Sequence, residues 1–394
     1  MSLQAASAIE STVPRRASWS AVGALTLCVS ALIASEFLPV SLLTPIAADL
    51  HLTEGQAGQA IAVSGAFAVV TSLCISRLTA GLDRRRLLLA LAALMIVSGL
   101  MVAFAPNAAM FMTGRALIGV VVGGFWSMSA ATVMRLVPED QVPRALNLLN
   151  GGNALATTIA APLGSFLGQY IGWRGAFFLV VPLGAVALAW QYLSLPALPA
   201  KVGRRRGVLR VLRRPKMALG MGAVAALFAG RFALFTYVRP FLESVTRVSP
   251  SALSLFLLLI GGAGLVGSLF IGPLLRTRLR ATLIAPPIAM AALALALIAF
   301  GATPLAAATL LTLWGLISTP SPTAWWTWLS TSLPEDAEAG GGLMVAVIQL
   351  AITLGAALGG WLVDGSGYAA AFGAGAAILC ASVWLTVISS RAKA

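Results

Sequence analysis

The chain repeats itself, and the repeat restricts the fold more than any single motif does. Ala161-Pro162-Leu163-Gly164-Ser165-Phe166-Leu167, followed by Gly172 and Ala176-Phe177, returns 195 positions later. There it reads Ala356-Ala357-Leu358-Gly359-Gly360-Trp361-Leu362, followed by Gly367 and Ala371-Phe372. A second echo lies upstream, Leu136-Val137-Pro138-Glu139-Asp140 against Ser332-Leu333-Pro334-Glu335-Asp336. A duplicated unit repeats its topology, so the architecture of one half is the architecture of both. Duplicated helical bundles in a membrane place a site at their seam and let that seam rock.

Composition says where such a unit folds. Hydrophobic residues make up 59% of the chain and charged residues 10%, against roughly 45–50% and about 25% in soluble domains. No soluble core of 394 residues could bury that much apolar surface. The charges are segregated, leaving apolar windows of about 20 residues, enough for a helix to cross roughly 30 Å of hydrocarbon. Backbone in hydrocarbon must bond internally, which leaves helices or a closed barrel. The continuous apolar runs exclude a barrel's alternating pattern.

Twelve windows are predicted. The first half holds those at about 19–46, 56–78, 87–105, 109–134, 145–170 and 174–195. The second holds those at about 217–238, 250–274, 281–300, 305–330, 340–363 and 368–389. The repeat carries window five onto window eleven, so both cross in one direction and six windows per half satisfy this. The expected fold is an all-α integral membrane protein with 12 transmembrane helices in two six-helix bundles. Its parts are an N-terminal tail over 1–18, a first bundle over 19–196, a basic linker over 197–216 and a second bundle over 217–390.

A net charge of +14 invites a nucleic-acid reading, but the distribution of that charge opposes it. With the N-terminus in the cytoplasm, 21 of the 26 basic residues fall on that side. They include Arg84–Arg86, the Lys201–Lys216 segment and Arg276, Arg278 and Arg280. This positive-inside bias predicts an inner-membrane protein with both termini cytoplasmic. It also makes the linker either a topology signal or a regulatory segment on an anionic leaflet. No cleavable leader pattern precedes the first window. Cys28, Cys74 and Cys380 have no C-x-x-C spacing, and His51 is the only histidine. That histidine reads as a solvated or capping residue in a short outer loop, with a pH-sensing role as the alternative. An intramembrane enzyme would need a metal set or a nucleophile–base pair, so no catalytic activity is expected. No G-x-x-x-x-G-K-[ST] phosphate loop occurs, which excludes that nucleotide site.

Charges inside the windows are few. Glu36 is the one carboxylate well within an apolar window, where an ionised acid costs roughly 2.5–3.5 kcal/mol on insertion scales. It can serve as a proton carrier, or as a fixed ion pair or cap. Arg115 stays charged at physiological pH and needs water, an acid or carbonyl acceptors inside the bundle. Arg231 is open to three readings: substrate contact, pairing with Glu36 across the seam, or snorkelling outward. Pro162 and Gly164 in window five, beside Gly119, Gly123 and Gly124 in window four, permit close packing and a hinge. Asn150 and Asn153 share a helical face. Together with Trp126, Tyr237, Trp325, Trp326 and Gln349 they suit a flat, neutral, polar ligand such as a nucleobase or nucleoside. A carbohydrate fits the same residues nearly as well, and an interfacial belt is the alternative for the tryptophans. Asp83 and Arg84, between windows two and three, form either a latch or a generic inside-positive run.

These residues resemble the major facilitator superfamily, in its drug and sugar efflux antiporter group. Arg115 with Gly119 and Gly123 is similar to the helix-four motif whose arginine is tied to proton coupling. Gly152 through Gly164 is similar to the helix-five antiporter motif, and Asp83-Arg84 falls where the loop motif sits. That loop motif's glycines are replaced here by Thr79 and Arg86. The stretches 36–45, 123–130, 160–168 and 345–350 resemble bacterial purine ribonucleoside efflux pumps. That pattern has a glutamine in place of Arg231 and lacks both asparagines. The resemblance implies a proton-coupled exporter of a small solute, purine ribonucleosides foremost, working by alternating access. A sugar or multidrug antiporter is the alternative. It also implies a proton gradient as the energy source, no cofactor, no nucleic acid and a monomer. Glu36 and Arg115 would couple the proton, and the polar-aromatic set would line the cavity. In the second half Leu310 stands at the offset of Arg115 and Ala357 at that of Pro162, so proton handling is expected in the first half and substrate grip in the second.

Overall fold

The computed structural model describes residues 17–79, 81–199, 212–333 and 337–391. Thirteen α-helices follow one another, with no strand among the described residues. The first half contains α1 (Trp19–Asp49), α2 (Glu54–Leu78), α3 (Arg84–Ala103), α4 (Ala108–Leu136), α5 (Val142–Phe178) and α6 (Val180–Ser194). The second contains α7 (Pro215–Phe235), α8 (Val238–Ser244), α9 (Pro250–Phe300), α10 (Pro304–Ser318), α11 (Ser321–Ser332), α12 (Ala337–Ser366) and α13 (Tyr368–Arg391). The chain is thus an all-α membrane protein, as its composition requires.

Nine stretches among the described residues are long and apolar enough to cross a membrane. Two of them, Arg144–Ser194 and Pro250–Phe300, run 51 residues each, far beyond the roughly 20 that one crossing takes. Both carry a break. Gly172 (φ 71°, ψ 169°) leaves the helical path within α5, and Arg278 (φ −141°, ψ 44°) does so within α9. The Gly172 conformation is open to glycine and strained for residues with a Cβ. Divided there, the two stretches follow windows five and six and windows eight and nine. The tenth window is not one helix: α10 and α11 meet at Thr319-Pro320, and neither piece has spanning length alone. The linker predicted over 197–216 lies outside the described residues at 200–211, and so does the tail at 1–16.

Packing follows the small residues. Gly119 and Gly123 on α4 face the Ser64 and Ala68 backbone of α2, and a Cβ at Gly123 would run into the Ala68 carbonyl. Without a water-driven force between helices, close backbone approach is what holds them. Gly123→Val is therefore expected to push α4 off α2, costing about 1–3 kcal/mol by overpacking. A lowered melting temperature of the purified protein checks this. Between halves, α2 packs against α12 and α5 against α9. One large core cluster is built mainly from second-half residues such as Leu227, Trp314 and Phe372, and two smaller ones mainly from the first half.

Candidate substrate and proton site

Prolines inside membrane helices free carbonyls, and here arginines take them. A proline has no N–H for the carbonyl four residues earlier, and hydrocarbon offers no water in its place. Pro39 and Pro45 in α1 thereby free the carbonyls of Ser35 and Ser41. Arg115 Nη1 donates to Ser35 O at 2.7 Å, and Arg239 Nη1 donates to Ser41 O across the seam. Ser318 O, at the C-terminus of α10 where the helical ladder ends, accepts from Arg231 Nη1 at 3.1 Å. Arg115 goes further, with Nη2 donating to Glu36 O at 2.9 Å and to Ser64 Oγ at 3.3 Å, and Nε to Ala60 O at 3.3 Å. It is fully buried and ties α4 to α1 and α2 at once.

Glu36 is the one buried carboxylate among the described residues. Its Oε1 accepts from Gln349 Nε2 of α12 at 3.2 Å, so the acid spans the two halves. Arg115 binds the Glu36 backbone rather than its carboxylate. Beside this bridge, Phe37 of α1 stacks on Phe232 of α7, with centroids 5.9 Å apart at 30°.

Hydrogen bonds between the halves gather at the end of the bundle bearing the Leu50–Thr53 turn. Asp364, near the end of α12, accepts from Thr53 Oγ1 at 2.6 Å and from Gly55 N at 2.9 Å. It therefore caps the N-terminus of α2 from the opposite half, where an acid is favoured by unpaired amides and the helix dipole. Tyr368 donates to Glu54, Gln169 Nε2 donates to Pro250 O at 2.9 Å, and Ser254 donates to Ser165 at 3.1 Å. Sequence reasoning missed Asp364, because its partners lie 309 to 311 positions away.

The predicted substrate residues are not gathered into one pocket. Tyr237 is fully buried and donates to Ala356 O at 2.8 Å, tying the junction of α7 and α8 to α12. Trp325 stacks edge-on against Trp328 at 5.3 Å inside the second core, whereas Trp326 is 40% exposed. Trp126 packs against the first core. Asn150 is exposed and Asn153 half-buried. The groove of about 390 Å³ between α7 and α12 is lined by apolar residues such as Met221, Ala225 and Leu354, and by none of the predicted set. Pro162 is buried in α5, whose backbone stays helical there and breaks at Gly172, and Gly164 lies against Leu38 and Ser41 of α1. Asp83 caps α3 by accepting from Arg85 N at 2.7 Å, and it also accepts from Leu198 N at 3.0 Å. Arg84 adds a backbone bond to Leu198 O at 2.9 Å. These bonds join two parts of the first half.

Comparison with known proteins places this arrangement. The sequence profile of the Major Facilitator Superfamily matches residues 24–351. The chain belongs to that superfamily. Major facilitators are transporters of small molecules, not enzymes. Among its relatives is the transcription regulatory protein OpdE of Pseudomonas aeruginosa, 56% identical over 382 residues, 96% of this chain and 95% of that one. The purine ribonucleoside efflux pump NepI of Salmonella typhimurium is 43% identical over 353 residues, 89% of each chain. The fold is shared with a bacterial homologue of the human lysosomal transporter Spinster in an inward-facing, occupied conformation. That likeness has a TM-score of 0.72 at 16% identity, covering 94% of this chain and 96% of the other. The human organic anion transporter MFSD10 has a TM-score of 0.67 at 17% identity, covering 94% and 99%.

Proposed function

We propose that this facilitator is a proton-coupled efflux antiporter that exports purine ribonucleosides or nucleobase-like solutes by alternating access. The observation that carries the reading is Glu36: a buried acid, alone of its kind among the described residues, held by a side chain of the opposite half. A group that changes its proton while bridging the halves links protonation to their relative position. Protonation of Glu36 replaces an acceptor with a hydroxyl and alters the Gln349 bond. The similarity to purine ribonucleoside pumps supports the substrate class. The two halves, 19–196 and 217–390, act as the moving bodies about the linker, and the basic segments lie on the anionic cytoplasmic leaflet of a bacterial inner membrane with both termini inside. A monomer suffices, and the proton gradient replaces any cofactor.

In this reading the contacts around Asp364 close the outer end. Asp364→Ala removes two bonds between halves, each of the order of 1 kcal/mol. The closed-to-open ratio should fall about tenfold or more, and a cysteine placed at Gln59 should react several-fold faster with an impermeant maleimide. Unchanged labelling would remove Asp364 from the gate.

A second reading comes from the relative named for transcription regulation: a sensor that binds solute without moving it. Counterflow of labelled inosine into inosine-loaded proteoliposomes separates the two. An exporter exchanges, whereas a sensor binds but leaves the label outside. Arabinose and a cationic dye, tested alongside, decide between nucleoside, sugar and multidrug transport.

A further inference from the structure

We infer that Arg231 is an anion-recognising centre and that the exported solute carries a negative charge. The inference rests on the transport reading above and narrows its substrate class. Symmetry points to it first. The 195-residue offset carries Ala34-Ser35-Glu36-Phe37 onto Ala229-Gly230-Arg231-Phe232, and Leu32 and Pro45 onto Leu227 and Pro240. The Phe37–Phe232 stack shows that these equivalent positions meet at the seam. The repeat has thus set an acid on one side of the stack and a base on the other. The two do not neutralise one another, because Glu36 takes Gln349 and Arg231 takes the Ser318 carbonyl.

The partners of the three arginines within the bundle then distinguish Arg231. Arg115 gives four hydrogen bonds, leaving little to offer a ligand. Arg239 is paired with Glu243 at 2.8 Å. Arg231 gives one hydrogen bond, its Nε is buried without an acceptor, and no described carboxylate pairs with it. The Phe232 and Phe235 rings, 5.7 and 5.9 Å from its guanidinium carbon, steady the cation without cancelling its charge. A neutral solute could fill the spare donors but would leave the charge of this half-buried cation uncompensated, which an anion would not.

Position supplies the rest. Arg231 packs with Phe228, Met290, Ser318, Ser321 and Pro322 around a gap too small to hold water in this structure, at the interruption between α10 and α11. Interrupted membrane helices bring backbone polar groups to binding sites at such depths. A planar guanidinium fork suits oxygen-rich anions, whether phosphate or an ionised heterocycle. Within the purine class the charge has two possible sources, the base or a phosphate.

The test is competition against labelled inosine in proteoliposomes containing the full chain. The probes are unlabelled inosine (neutral), xanthosine (ionised on its base near neutral pH) and inosine monophosphate. At least one anion should compete better than inosine, and the better of the two locates the charge. Arg231→Gln should reduce that preference about tenfold to a hundredfold, the range of a charge-assisted bond. Arg231→Lys should keep it within a few-fold. Inosine exchange with no competition from either anion overturns the inference while leaving purine transport standing. Equal weakening of all three probes in Arg231→Gln also overturns it. If no purine exchanges, the purine reading fails, and thermal stabilisation by inorganic phosphate and citrate decides the anion centre separately. Stabilisation that Arg231→Gln abolishes supports it, and an equal response in both proteins overturns it.

Discussion

Proteoliposomes carrying Glu36→Gln are expected to exchange substrate yet to accumulate none against a gradient. The amide keeps the size of the side chain and an oxygen for Gln349, so the seam contact survives. What it loses is the ability to take up and release a proton. One proton moving through 100 mV supplies about 2.3 kcal/mol, and a tenfold ratio takes about 1.4 kcal/mol. For the neutral probe inosine the intact protein can therefore sustain roughly a fiftyfold gradient per proton, and the variant should sustain none. Gradient-driven accumulation, measured beside passive exchange in one preparation, checks this. Accumulation that persists in the variant would move the coupling to another group.

Arg115→Met should be the most damaging single change for folding. Three buried carbonyls, those of Ser35, Glu36 and Ala60, lose this donor together. Only Ser35 O is orphaned, at about 1–3 kcal/mol. The Glu36 and Ala60 carbonyls keep their helical N–H partners and each lose a bond to a charged donor, about 1.5–3 kcal/mol. Arg115→Lys is no substitute, because one ammonium cannot reproduce the guanidinium's spread of donors. The proline argument sharpens the test, since Ser35 O depends on Arg115 only because Pro39 has no N–H for it. Adding Pro39→Ala to Arg115→Met should recover about 1 kcal/mol beyond what Pro39→Ala does alone, measured as a double-mutant cycle in melting temperature. A variant that melts like the parent but has lost coupling would instead assign Arg115 to the proton alone.

The course of the chain was largely legible because hydrocarbon imposes few options. The apolar windows follow from spanning length and backbone satisfaction, and the break at Gly172 falls between windows five and six, whereas window ten divides at Thr319-Pro320. The site was less legible, for reasons tied to particular residues. Tyr237 was read as a cavity group from its type, but its hydroxyl is used on the Ala356 carbonyl. Asp83 admits a latch or a generic inside-positive run by sequence, and its bonds are to α3 and Leu198. The joining role at the other end falls to Asp364, an exposed acid beside a turn whose partners no local pattern indicates. Arg231 was within reach: applying the repeat to window one as well as to window five pairs it with Glu36. The arginine–carbonyl contacts were likewise readable in part, since each proline marks the carbonyl it frees.

The central claim is that substrate leaves as protons enter, and proton movement itself tests it most directly. Proteoliposomes loaded with inosine and a pH-sensitive dye are diluted into inosine-free buffer. The account predicts that inosine efflux acidifies the lumen, that a protonophore abolishes the acidification, and that Glu36→Gln shows none. Inosine efflux at a constant luminal pH, or with alkalinisation, would contradict it.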